Sequence, residues 1–409
     1  MPRLLDLIAP PRMGRAFRWN LASVWVGNLG DGIALAAGPL LVASQTRNPL
    51  LIASAAMVQR VPTLVIGLYA GALADRVSRV RLVVVANVLR ALVIAGLIAM
   101  IATGRVSIEV VLVAMLLVGL AEQFADAGTR AVLPMIVEPA DLGVGNARVM
   151  AGYLVANELV GPPVGALLFA AGMALPFGVQ AVALLLAAWL FTRIGLTRHT
   201  AAVDRTQQHV GRDILDGLAW IWRTPAVRTL SLVIFFFNLT WGAPWGVLVY
   251  WAQERLGVGP VGFGALSTAT GLGGLVSIAG YDWLERRFDL GALMKVRLTL
   301  EVLVHAALAL TTALPVALAL MVVFGGYAFV WGSVSNAVRQ RATPLDLQGR
   351  VGSVYMFGLV AGLLVGQFLG GVIARQWGAA APFWFAFAGA GVTLALVWRQ
   401  LDHIAHARA

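Results

Sequence analysis

The chain has 409 residues, 60% hydrophobic and only 12% charged, with a net charge of +11 and no cysteine. A water-soluble domain carries about 25% charge and covers itself with it, so an ordinary soluble enzyme, a disordered chain and a disulfide scaffold are excluded. Roughly 20 apolar residues cross a bilayer, and about a dozen such stretches fit this length, which makes the chain a polytopic membrane protein.

Residues 1–19 carry Arg3, Arg12, Arg15 and Arg18 without the apolar run of a signal peptide, and read as a cytoplasmic arm. Apolar runs near 20–44, 50–74, 82–103, 107–128, 148–171 and 176–195 predict an N-terminal six-helix bundle over 20–195. The longest polar stretch follows, Thr197 to Arg212, then an amphipathic helix around Asp213–Arg223; together they read as a cytoplasmic linker over 196–228. Runs near 229–252, 262–284, 292–313, 315–336, 351–373 and 380–398 predict a second bundle over 229–398, and 399–409 is a cytoplasmic tail.

With both ends inside, 24 of the 30 cations, Arg297 among them, fall on the cytoplasmic side. Arg47, Arg105, Arg255 and Arg375 fall outside, while Arg60 and Arg90 lie within spans. That bias sets topology, so the positive charge is an orientation signal and not a nucleic-acid footprint. The two halves also repeat. At an offset of 205, Pro39 falls on Pro244, Gly161 on Gly366, Gly165 on Gly370 and Arg81 on Arg286. Parallel repeats of this kind build transporters. Glycines cluster in the second, fifth, eighth and eleventh spans: Gly67 and Gly71, Gly161 and Gly165, Gly271 and Gly274, and Gly358 to Gly370 every fourth residue. Static helix packing is the plain reading of each pair; their distribution suggests a smooth surface across which two bundles rock.

Between the second and third spans stands Gly71-Ala-Leu-Ala-Asp75-Arg76-Val-Ser-Arg79-Val-Arg81. It resembles the motif A loop of the major facilitator superfamily, G-x-L-a-D-R-x-G-R, with Ser78 at the second glycine. Asn28-Leu-Gly30-Asp31-Gly32, Ala131-Val-Leu-Pro134 and Arg339-Gln340-Arg-Ala-Thr-Pro344 are similar to the branch containing enterobactin-type siderophore and macrolide exporters. Asn157 to Ala166, with Gly161-Pro162-Pro163-Val-Gly165, resembles antiporter motif C, which accompanies export. The fourth span lacks the arginine of motif B, so coupling through that residue is not available. The resemblance covers essentially the whole chain and implies twelve helices as 6+6, alternating access, and a bacterial-type inner (cytoplasmic) membrane.

It also implies roles. Asp75 would face the start of the eleventh span near Gly352 and Ser353, and Arg79 would meet Asp126. With Gly71 and Arg76 these form a cytoplasmic gate, against the plainer reading of a solvated basic turn. Gly161, Pro162 and Gly165 would form a hinge. Ionisable groups at membrane depth are costly and functional by default: Asp31, Arg60, Glu122 and Glu158 are the expected proton and substrate coupling residues. The alternative for Asp31, Arg60 and Glu158 is a permanent ion triad. Arg90 is read as a peripheral arginine snorkelling to the inner surface, and Glu301 with His305 as a peripheral structural contact. Asn28, Asn238, Trp241, Trp245, Tyr327 and Trp331 would line a substrate cavity, because the first, fourth, seventh and tenth helices line it in the family.

The expectation is a monomeric secondary transporter exporting an amphipathic organic compound, neutral or cationic, in exchange for protons, with no cofactor, metal or catalytic site. The rivals are an uncoupled facilitator or lipid flippase on the same fold, and a non-transporting membrane receptor or assembly partner.

Overall fold

The structure, a computed structural model, describes residues 10–195, 218–344 and 347–401. Most of the expected linker, including the start of its amphipathic helix, and most of the tail lie outside the described residues; a helix runs through 218–223. Among the described residues there is no strand.

In chain order the helices are α1 (Gly14–Ala43), α2 (Pro49–Arg76), α3 (Arg79–Ala102), α4 (Ile108–Ile136) and α5 (Leu142–Gly152). A π-helical segment (Tyr153–Val160) leads into α6 (Gly161–Ala171), and α7 (Leu175–Thr192) follows. The second half has α8 (Pro225–Gly246), α9 (Leu248–Leu256), α10 (Pro260–Arg287), α11 (Leu290–Leu310), α12 (Leu314–Ala342), α13 (Gln348–Trp377) and α14 (Ala381–Val397).

The helix starts follow from local chemistry. Ser78 caps α3 by accepting from the Arg81 N–H, Ser107 caps α4 by accepting from Val110, and Asp289 caps α11 by accepting from Gly291. Such caps satisfy orphan N–H groups and contribute about 1 kcal/mol each. The serine that departs from motif A is thus an N-cap. Proline stands in the first turn of α7, α8, α10, α12 and α14, where its missing N–H costs nothing.

Among the described residues nine helices are long and apolar enough to cross a membrane, or ten when α8 and α9, bent by 51°, count as one span. The ten match ten of the twelve predicted spans. The other two predicted spans are also helical, as α11 and α14. Lys295, Arg297 and Glu301 give α11 a charge load that a span rarely carries, and α14 has only 17 residues.

The chain divides into two compact units, one of 1–45 with 58–206, the other of 46–57 with 207–409. The start of α2 groups with the second unit. In the first unit α1 packs on α6 and α7, and α3 on α4 and α7. In the second, α8 packs on α13 and α14, and α11 on α12 and α14. These are the same pairings in each half, as the repeat requires.

The glycines serve those internal pairings. A Cβ on Gly161 or Gly165 would fall on the backbone of Gly32 or Ile33 in α1, and one on Gly362, Gly366 or Gly370 on that of Phe235, Leu239 or Ala243 in α8. They permit close backbone approach within each unit. For these five glycines the close contact is to a helix of the same unit. Gly273, not Gly271 or Gly274, makes the tight approach of α10 to α12.

Candidate functional site

The first unit buries a nest of charge. Arg90, midway along α3, is only 3% exposed. One of its nitrogens, Nη2, donates both to Asp31 of α1 at 2.5 Å and to Glu122 of α4 at 3.3 Å. Its Nη1 donates to Asn87, one turn earlier on the same helix, and Gln180 of α7 donates to Asp31 at 3.4 Å. Asp31 is 16% exposed and Glu122 34%, so Glu122 is the most open of the three. One guanidinium thus faces two carboxylates. Asp126, one turn further along α4, pairs with Arg130 at 3.2 Å.

Arg90 therefore does not snorkel. It stands 11 residues beyond Arg79 at the helix start, about 17 Å at 1.5 Å per residue, too deep for its side chain to reach the surface. That arithmetic was available in the sequence, as was Asn87 at helical spacing; what the sequence does not give is which helices face α3. Two expected coupling residues, Asp31 and Glu122, come together through an arginine that was not expected. The triad of Asp31, Arg60 and Glu158 does not form: among the described residues Asp31 pairs with Arg90. Glu158 instead accepts from the Tyr153 hydroxyl at 2.7 Å, both on the π-helical segment. Arg60 lies near enough to Glu122 and Tyr153 for its charge to act on both.

The π-helical segment ends at Gly161-Pro162-Pro163. Pro163 cannot donate a ladder bond, and π turns recur at functional sites. Asn157 donates to the Asn28 backbone carbonyl at 3.4 Å, and its own backbone lies against Gly32. Gly161, Pro162 and Gly165 thus hold a widened turn directly beside the helix that carries Asp31.

At the predicted gate, the side chains of Gly71, Asp75 and Arg76 lie outside the described residues. Asp126 takes Arg130, not Arg79, as its partner. An Arg79 guanidinium nitrogen lies 3.1 Å from the Met135 sulfur.

The second unit sorts the predicted cavity residues into two groups. Trp241 and Trp245, one turn apart on α8, stack at 4.8 Å, and Trp241 lies parallel to Phe324 of α12 at 5.5 Å. Both tryptophans are half-buried. Tyr327 and Trp331 are buried instead, against a second arginine, Arg297 of α11. Arg297 is 2% exposed and lies 3.6 Å from Glu301. Glu301 and His305 are likewise buried, with His305 Nδ1 3.4 Å from a Glu301 carboxylate oxygen. Asn28 and Asn238 each donate to the carbonyl one turn back, of Val24 and Ile234, both at 2.8 Å. Their amide donors are spent locally, and Asn238 is buried. Among the described residues no group of three or more His, Asp or Glu could hold a metal.

Apolar helices in two repeated sets, with charged groups buried at helix depth, are the architecture of a multi-pass membrane protein. The chain belongs to the Major Facilitator Superfamily, whose profile matches residues 21–358. It is 29% identical over 368 residues to the multidrug efflux pump Tap of Mycolicibacterium fortuitum, covering 87% of this chain and 88% of that one. It is also 29% identical over 375 residues to Tap of Mycobacterium tuberculosis (strain ATCC 25618 / H37Rv), with 87% and 86% covered. Among solved structures it is similar to a bacterial homologue of the iron transporter ferroportin in the inward-facing state, with a TM-score of 0.74, 17% identity and 95% and 98% of the two chains covered. The nucleoside transporter NupG aligns with a TM-score of 0.69 and 13% identity, over 95% and 99%. These structures share the fold.

Proposed function

We propose that this protein exports an amphipathic organic compound, bearing a cationic or polar nitrogen and a flat aromatic part, from the bacterial cytoplasm in exchange for protons by alternating access. The observation that carries this reading is the nest of Arg90, Asp31 and Glu122, in which two carboxylates share one guanidinium. The likeness to the Tap multidrug efflux pumps over most of both chains supports the choice of cargo.

A proton on Glu122 or Asp31 leaves a neutral pair with Arg90. Its loss restores a negative charge at a partly open site, which favours the cationic end of a substrate. Proton and substrate thus compete for the same charge, and competition for one site is what obligatory exchange requires. In the second unit, Trp241 and Trp245 offer a stacked aromatic surface for a flat compound. One charge crossing 100 mV releases about 2.3 kcal/mol, enough for a roughly 50-fold substrate gradient.

The test is transport in proteoliposomes with an imposed pH gradient. Wild type accumulates substrate against its gradient, whereas Glu122→Gln and Asp31→Asn lose accumulation but keep downhill exchange. Full pH-driven accumulation in both variants overturns the coupling assignment, and gradient-independent flux in the wild type identifies an uncoupled facilitator.

A further inference from the structure

Arg297 has no part in the proton reading, yet it is the most enclosed cation of the second unit. Resting on the reading that the flat part of the compound stacks on Trp241 and Trp245, we propose that Arg297, held by Glu301, is a positioning residue that sets the geometry of this stacking surface and so selects which ring systems are accepted.

The contacts form a continuous relay. The Arg297 guanidinium carbon lies 3.6 Å from the centre of the Phe237 ring, 4.6 Å from that of Trp331 and 5.5 Å from that of Tyr327. Tyr327 meets Phe324 edge-on at 5.3 Å. Phe324 lies within 1° of parallel to Trp241, and Trp241 stacks on Trp245. Each step joins rings whose relative angle matters, from a sealed ion pair to two half-open tryptophans.

Arg297 is fixed by rings and charge: its guanidinium nitrogens make no hydrogen bond among the described residues. Glu301 holds it at 3.6 Å, and Glu301 is flanked in turn by His305, whose Nδ1 donates to the Glu301 backbone carbonyl at 2.8 Å. The Trp331 indole N–H likewise has no partner, so that ring is held by packing and by the cation. A flat guanidinium orients the rings stacked on it, whereas a lysine ammonium is a point charge that does not. The second unit thus discriminates by ring shape.

The measurement compares wild type with Arg297→Lys and with the charge-balanced double variant Arg297→Met/Glu301→Gln, which leaves no lone buried charge. The exciton couplet of the stacked tryptophans, identified in circular dichroism as the part lost in Trp245→Phe, reports the relay directly. Binding of planar ethidium and of non-planar tetraphenylphosphonium to purified protein reports selectivity. Both variants are expected to keep wild-type helicity, lose the couplet, and lower the planar-to-non-planar affinity ratio on the order of fivefold. A retained couplet with an unchanged ratio in either folded variant overturns the proposal. Failure of pH coupling in the wild type would leave the couplet readout intact, so the two readings fail separately.

Discussion

Replacing Arg90 by methionine removes the cation that two carboxylates share. Asp31, 16% exposed, then loses its ion pair in an enclosed site, and breaking a buried pair from one side costs about 3–5 kcal/mol. Glu122, at 34% exposure and 3.3 Å, holds a more open pair worth about 1 kcal/mol or less. The buried Asp31 pair dominates, and Arg90→Met is expected to destabilise the folded protein by about 3–5 kcal/mol. Adding Asp31→Asn removes the stranded charge while keeping the side chain's shape and its contact with Gln180. The double variant Arg90→Met/Asp31→Asn should recover about half of the loss or more. Denaturant titration of the purified protein in mixed micelles, followed by loss of helicity, gives both differences. A single variant as stable as wild type, or a double variant less stable than the single, would refute the reasoning, because either result means that Arg90 does not compensate Asp31.

Two further outcomes follow from the packing and the gate. Gly165→Val places a side chain on the Ile33 backbone, where neither helix can yield, and is expected to cost more than about 2 kcal/mol and to abolish export; near-wild-type stability and transport would show that α1 and α6 do not approach this closely in the membrane. Asp75→Asn is expected to shift the balance between inward- and outward-open states, read as altered labelling of single cysteines introduced into a chain that has none of its own; unchanged labelling and transport would remove Asp75 from the gate.

Much of the candidate site was legible in sequence, but by depth and not by partner. Asp31 and Glu122 stand out because a carboxylate inside a hydrophobic run is expensive. The partner of Asp31 was misread: Arg60 had the right depth in the helix next along the chain, while Arg90 sits in a helix that packs on α4 and reaches Asp31 of α1 through its side chain. Glu158 was a sound candidate whose bond is local, to Tyr153, through a π turn that helical periodicity does not reveal. The aromatic residues of α8 and α12 were read as one cavity lining from the family's helix order, and only their contacts separate the half-open Trp241 and Trp245 from Tyr327 and Trp331, which enclose Arg297.

Composition, hydrophobic run length and the duplicated pattern of prolines and glycines by themselves determined a polytopic helical protein of two repeated halves. Those properties depend on distance along the chain and on the cost of placing polar groups in hydrocarbon, both of which can be counted from residues. Which buried charge meets which, and which face of each tryptophan helix is covered, was decided only by tertiary structure. A pairing energy falls away within a few ångströms, and helices distant in sequence reach that range only when packing brings them together.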